Sequence, residues 1–114
     1  MAFTEIDLVY IKKTIGKMCE RRSPPHLRNE LRTVYEVKGY DVIVYEERPQ
    51  WNDPEKWSRE PIAKFKYIRK DDRWKLYWMR GDLKWHPYEM KPATKSLGAL
   101  VKEVDTDPHG AFWG

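Results

Sequence analysis

Between Leu31 and Met90 the apolar residues recur at every second position, and only short polar breaks interrupt the alternation. Period two is the signature of strands, which turn successive side chains to opposite faces. "LRTVYEVKG" and "YDVIVYEERP" read as two strands joined at Lys38-Gly39. The second is β-branched or aromatic on both faces, which places it inside its sheet. "IAKFKYIRK" and "RWKLYWMR" form a hairpin turned at Asp71-Asp72, and Gly81-Asp82 leads into "LKWHPYEM", where Pro87 marks an edge or a strand end. Connections this short join antiparallel neighbours. Between these pairs, "QWNDPEKWSREP" (50–61) reads as an irregular surface loop because of its prolines and polar residues. Trp51 and Trp57 are expected to fold it back onto the domain.

Period 3.6 replaces period two at both ends of the chain. Thr4 is placed as an N-cap with Asp7 at the third helical position and Phe3 and Leu8 as a flanking apolar pair. Leu8, Ile11, Ile15, Met18 and Cys19 then line one helical face, and Pro24-Pro25 ends the helix. Near the C-terminus Ser96 can cap a short helix whose face carries Leu97, Leu100, Val101 and Val104, closed by Asp107-Pro108. The fold class that follows is α+β: an N-terminal helix, an antiparallel meander sheet of about five strands and a short C-terminal helix. The 114 residues make one domain, 1–114, large enough to bury a core without metal or disulfides.

The single Cys19 excludes an internal disulfide and a CxxC zinc site, and no apolar run reaches the ~20 residues of a membrane helix. Acids stand in "MAFTEIDLVY" where a signal peptide carries bases, so a cytoplasmic protein is expected. The net charge of +4 permits a polyanionic partner, but 22 Lys and Arg are interleaved with 18 Asp and Glu, the pattern of a solvated surface.

Chemistry-bearing motifs are sparse. His86 is the natural acid–base suspect, yet it shares its strand with no second histidine, and no HExxH pattern occurs. A metal-dependent nuclease built on Asp41, Glu46 and Glu47 lacks its second acid between Ile62 and Lys70. No GxSxG, GxGxxG or GxxxxGK[ST] is present, so neither a serine nucleophile nor a nucleotide cofactor is implied. No metal and no cofactor is expected.

The more informative pattern is the alternation of cations with aromatics. "KFKYIRK" sends Lys64 and Lys66 to one face and Phe65 and Tyr67 to the other. A sheet face that exposes aromatics among cations is a stacking platform for single-stranded nucleic acid. Two helices cover one face only, so apolar residues on both faces of the fourth strand point to an exposed apolar patch, hence a homodimer or protein partner. Within "YWMRGDLKWHPYEM", Trp74, Leu76 and Trp78 share the core face. A two-residue Gly81-Asp82 turn would return Leu83 and Trp85 to it, leaving Arg80, Lys84 and His86 as an outward edge.

The segments "CERRSPPHLR", "RPQWNDP", "PIAKFKYIRKDDRWKLYWMRGDLKWHPYE" and "DPHGAFWG" occur in this order and resemble the bacterial family called domain of unknown function 3024. Asn52 and Gly81 depart from it, standing where an acid and an alanine are more usual. The resemblance implies a small, intracellular bacterial protein of a single domain, and it implies no reaction. Its signature falls on Pro24, Pro25, His26, Arg28, Trp78, Arg80, Asp82, Lys84, Trp85 and His86. Packing explains the prolines and tryptophans. The polar set His26, Arg28, Arg80, Asp82, Lys84 and His86 is the candidate binding site, either a structural network or the lining of an anion- or protein-binding cleft. The expected function is a non-enzymatic binding domain with a basic aromatic sheet face, self-associating or polyanion-binding. The rival is a small hydrolase or nuclease using His86 with Asp82 or His26.

Overall fold

A computed structural model describes residues 3–113. A helical rod opens the chain: α1 (Glu5–Ile11), a π-helical turn (Lys12–Gly16) and α2 (Lys17–Arg21). A 3-10 turn (Pro25–Leu27) follows. Five strands then run in sequence order, β1 (Arg32–Lys38), β2 (Asp41–Gln50), β3 (Asp53–Ile68), β4 (Arg73–Met79) and β5 (Trp85–Pro87), each antiparallel to the next. The helix α3 (Leu97–Thr106) closes the α+β architecture.

The start of α1 is the reciprocal capping arrangement that its sequence announces. Thr4 Oγ1 accepts from the Asp7 N–H at 3.2 Å, and the Asp7 carboxylate accepts from the Thr4 N–H at 3.0 Å. Such a cap supplies about 1 kcal/mol of helix stability. Within the rod, the Thr14 hydroxyl donates to the carbonyls of Tyr10 and Ile11, at 2.9 and 3.2 Å, as the helix widens into its π-turn. The apolar face is buried through Ile11, Ile15, Met18 and Cys19, but Leu8 is exposed. Leu8 therefore belongs to the outer surface rather than the core stripe. The α3 face is buried throughout, at Leu97, Leu100, Val101 and Val104. Its end is organised by Asp107, in the left-handed region at φ 46°, whose carboxylate accepts from the N–H groups of Ala111, Phe112 and Trp113.

Both helices pack on one face of the sheet, formed by Val42, Val44, Ala63, Phe65, Trp74 and Leu76. Lys64 and Lys66 alternate with Phe65 and so stand on the other, uncovered face. β2 is an interior strand, paired on both sides, with Val42, Ile43 and Val44 all buried.

Residues 50–61 differ from the expected irregular loop. They are the end of β2, a tight turn and the first half of the 16-residue β3. Both prolines sit where a strand tolerates them. Pro61 flanks a bulge that leaves Ile62 as an extra residue between Val44 and Tyr45, and Pro54 lies beside a second break at Pro49/Gln50. Trp51, expected to fold back, caps this arm at 94% exposure. Trp57 is held instead by the Arg32 guanidinium, 3.9 Å from its ring centroid.

The β4–β5 connection differs as well. Met79 pairs with Trp85 and Trp78 with His86, so the turn spans Arg80 to Lys84, with Leu83 in the left-handed region at φ 61°. This is one residue out of register from a two-residue turn, and a one-residue slip exchanges the faces of a strand. Trp85 accordingly lies with Met79 and Tyr77 on the uncovered face, and Leu83 is 81% exposed in the turn. His86 joins Trp78, and Tyr88, hydrogen-bonded through its N–H to Leu76 O, is buried.

Candidate functional site

The uncovered face divides into two chemically distinct halves. On the β1–β2 side, cross-strand register sets Arg32 and Arg59 on either side of Glu47. Arg32 Nε donates to Glu47 Oε1 at 2.7 Å and Arg59 Nε to Oε2 at 2.8 Å. Arg59 also reaches Glu36 at 3.1 Å, as does Lys38. Burial pushes the Glu47 carboxyl up, but the two guanidinium hydrogen bonds outweigh it and hold the group below the usual carboxylate range. This half is neutralised from within.

Toward β4 and β5 the character changes. Lys64 faces Tyr77 and Lys66 faces Lys75 in the β3–β4 ladder. Lys64 Nζ lies 4.8 Å from the Tyr77 ring centroid and 5.5 Å from that of Trp85, and Lys75 Nζ lies 5.5 Å from Tyr77. Buried Ile43 stands between Lys64 and Glu36 in the register. Among the described residues no carboxylate comes within ion-pair distance of Lys64, Lys66, Arg73 or Lys75. The half therefore presents four cations around two half-buried aromatic rings. Asp41 stands opposite Lys66 in the β2–β3 ladder without an ion pair to it. The ammonium groups of Lys64, Lys66 and Lys75 and the Arg73 guanidinium can meet an anionic partner, and the rings offer flat surface for stacking.

Behind β5, on the helix side, a cleft of about 360 Å³ is lined by Trp78, Arg80, His86, Pro87 and His109, among others. His86 lines it, and Asp82 in the adjoining turn places its Oδ2 2.8 Å from His86 Nε2. Asp82 Oδ1 accepts from the Lys84 N–H at 3.0 Å. The His86 hydrogen bond, followed by that from Lys84, holds the Asp82 carboxyl below its ordinary value. The Arg80 guanidinium lies 5.4 Å from the centroid of the Trp78 ring. Lys84 itself is exposed in the turn.

His26 and Arg28 are elsewhere. Arg28 Nε donates to Ser23 O at 2.9 Å and lines a separate cleft of about 340 Å³ between the helical rod and β1. His26 is exposed on the 3-10 turn and lines neither cleft. No hydrogen bond joins Arg28 to the Asp82–His86 group among the described residues. The six polar residues are therefore not gathered in one site: Arg28 lines the rod-side cleft, Arg80 and His86 line the cleft behind β5, and His26 lines neither. Cys19 also lines the rod-side cleft, where burial pushes its thiol up to about 12, so it holds its proton at neutral pH. Among the described residues no three His, Cys, Asp or Glu side chains gather to hold a metal ion.

Sequence reasoning identified the Lys64–Lys66 face but put Trp85 on the opposite one and did not single out Lys75 and Tyr77 as neighbours of Lys64. The signal for Trp85 lay in the turn length. Five residues between Met79 and Trp85 conserve the face across the turn, whereas two between Arg80 and Leu83 would have reversed the assignment.

No curated protein and no solved structure matches this chain. One family model does, over residues 3–114, essentially the whole length. The period-two sheet, the capped helices and the cationic face described above are those of a member of the family described as Domain of unknown function (DUF3024), to which this chain belongs.

Proposed function

We propose that the protein is a non-enzymatic binding module that holds single-stranded nucleic acid on the β3–β4–β5 half of its uncovered sheet face. The observation that carries this reading is Lys64 set between Tyr77 and Trp85, with Lys66, Arg73 and Lys75 around them and no carboxylate in ion-pair reach among the described residues. Cations attract the phosphate chain, and the rings stack on bases that a single strand leaves open. A duplex hides those base faces, so the reading favours a single strand. Fluorescence anisotropy with a labelled single-stranded oligonucleotide and with its duplex, at low ionic strength, tests it. The expected result is salt-sensitive binding that is tighter for the single strand. Absence of salt-sensitive binding at low ionic strength would end the reading.

The Asp82–His86 pair favours one second reading, a small hydrolase or nuclease, because an aspartate that orients a histidine is part of a general-base constellation. Among the described residues no serine, threonine or cysteine side chain hydrogen-bonds His86, and His26 lies outside its cleft. The pair also ties the middle of the β4–β5 turn to β5, which accounts for it structurally. Cleavage of an oligonucleotide that is abolished by His86→Ala, with folding retained, would establish the enzymatic reading over the binding one.

A further inference from the structure

The large apolar side chains left in solvent are concentrated on the first helix rather than on the sheet. Ile6 is 82% exposed, Val9 52% and Tyr10 45%. Their spacing of three and one puts them on a single helical face, and Lys13 extends that face by another turn. The opposite side of the rod supplies Ile11, Ile15 and Met18 to the core, so the outer stripe is directed away from the sheet. A rod that is apolar on two sides has one partner within the chain and lacks one outside it.

Charge along the rod indicates what the second partner is. Its first turn carries Glu5, while Lys12, Lys13 and Lys17 follow within the next three turns. Neither Glu5 nor Lys13 has an ion-pair partner among the described residues, whereas Lys17 reaches Glu20 and Asp7 is occupied by the Thr4 cap. A sequence acidic at one end and basic at the other is complementary to itself when reversed. Two rods packed antiparallel about a two-fold axis at Val9 set Glu5 of one protomer level with Lys13 of its partner, twice over. Such an isologous contact buries Ile6, Val9 and Tyr10 between flanking ion pairs.

We infer that this outer face of the first helix is a homodimer interface, formed by antiparallel packing of the two rods. A few side chains from each protomer bury less than the ~1,600 Å² of a standard stable complex, so the dimer is a weak one. Its geometry stacks sheet, helix, helix and sheet, with both cationic faces on the outside.

Sedimentation equilibrium of the full chain from about 5 to 500 µM, an interval chosen for a weak interface, tests the inference. Wild type is expected to pass from monomer to dimer, and Val9→Glu to remain monomeric with an unchanged Tm. Glu5→Lys and Lys13→Glu are each expected to weaken association on their own, since each sets like charges across the two-fold. An equimolar mixture of these two variants is expected to restore it, because both contacts then become complementary. Wild type that stays monomeric to 500 µM would overturn the inference. So would a dimer that survives Val9→Glu, or single-charge variants that the mixture fails to rescue. Monomeric wild type that instead binds anionic lipid vesicles, and loses them on Val9→Glu, would assign the stripe to a membrane surface.

Discussion

The two halves of the uncovered sheet face are built from the same residue types and do opposite things. On the β1–β2 half, Arg32, Arg59 and Lys38 are consumed by Glu47 and Glu36, and the guanidiniums of Arg32 and Arg59 lie over Trp57 and Tyr45. On the β3–β5 half, Lys64 and Lys75 lie over Tyr77 and Trp85 with no acid in reach among the described residues. A cation beside an aromatic therefore says little about binding by itself. What separates the halves is whether a carboxylate shares the site. With one, the charge works inside the protein as cross-strand stabilisation. Without one, the charge remains available to a partner.

The largest expected effect belongs to the neutralised half. Glu47 is nearly buried and accepts two charge-assisted hydrogen bonds, so Glu47→Ala should lower stability by about 2–3 kcal/mol. Denaturant unfolding would show this, and oligonucleotide affinity should rise, since Arg32 loses its carboxylate partner and becomes available to phosphate. A neutral Glu47→Ala would dissolve the distinction between the halves from the structural side.

Next comes Trp85→Ala. If Trp85 supplies a stacking surface, its loss should weaken oligonucleotide binding by about 1–2 kcal/mol while leaving the salt dependence of binding unchanged. Trp85 is only half-buried, so the loss of stability should fall below the ~3–5 kcal/mol expected of a core tryptophan. Anisotropy and thermal unfolding on the same samples separate the two effects.

A smaller effect follows from pH. The carboxyl of Glu47 is held below its unfolded value, so its contribution to stability is full above the ordinary glutamate range near pH 4.3 and fades as pH falls through the lower folded value. The Tm gap between wild type and Glu47→Ala should therefore be constant from about pH 6 to 8 and shrink in acid, below about pH 4. A gap that widens on acidification would contradict the assigned sign.

Much of the fold was legible because it is written in local signals. The Thr4–Asp7 cap, the apolar face of α3 and the turns at Gly39 and Asp72 each lie within a few residues of sequence. What was not legible depends on register between distant strands. The prolines at 54 and 61 argued for a loop, because nothing nearby shows that a bulge and an unpaired edge will receive them. Trp85 was misplaced by one residue of turn length. The Arg32–Glu47–Arg59 triad joins residues 15 and 12 positions apart, so the sequence shows its members without showing that they meet. The candidate site inherits this limit: Lys64 and Lys66 were visible as one face of a strand, but that they stand outside the ion pairs of the neighbouring half, with Asp41 opposite Lys66 and yet not paired to it, emerges only once the strands are in register.

The claim that pairing decides function is tested most directly by removing three positive charges from one half or the other and measuring the salt dependence of oligonucleotide binding. One variant carries Lys64→Ala, Lys66→Ala and Lys75→Ala; the other carries Arg32→Ala, Lys38→Ala and Arg59→Ala, an equal change in net charge. Each phosphate contact on a single strand contributes about 0.7 to the slope of log K against log salt. The lysine variant is expected to lose about 2 from that slope, three such contacts, while the second variant keeps the wild-type slope. Equal losses from the two variants would show that the face binds through net charge alone, and would contradict the account.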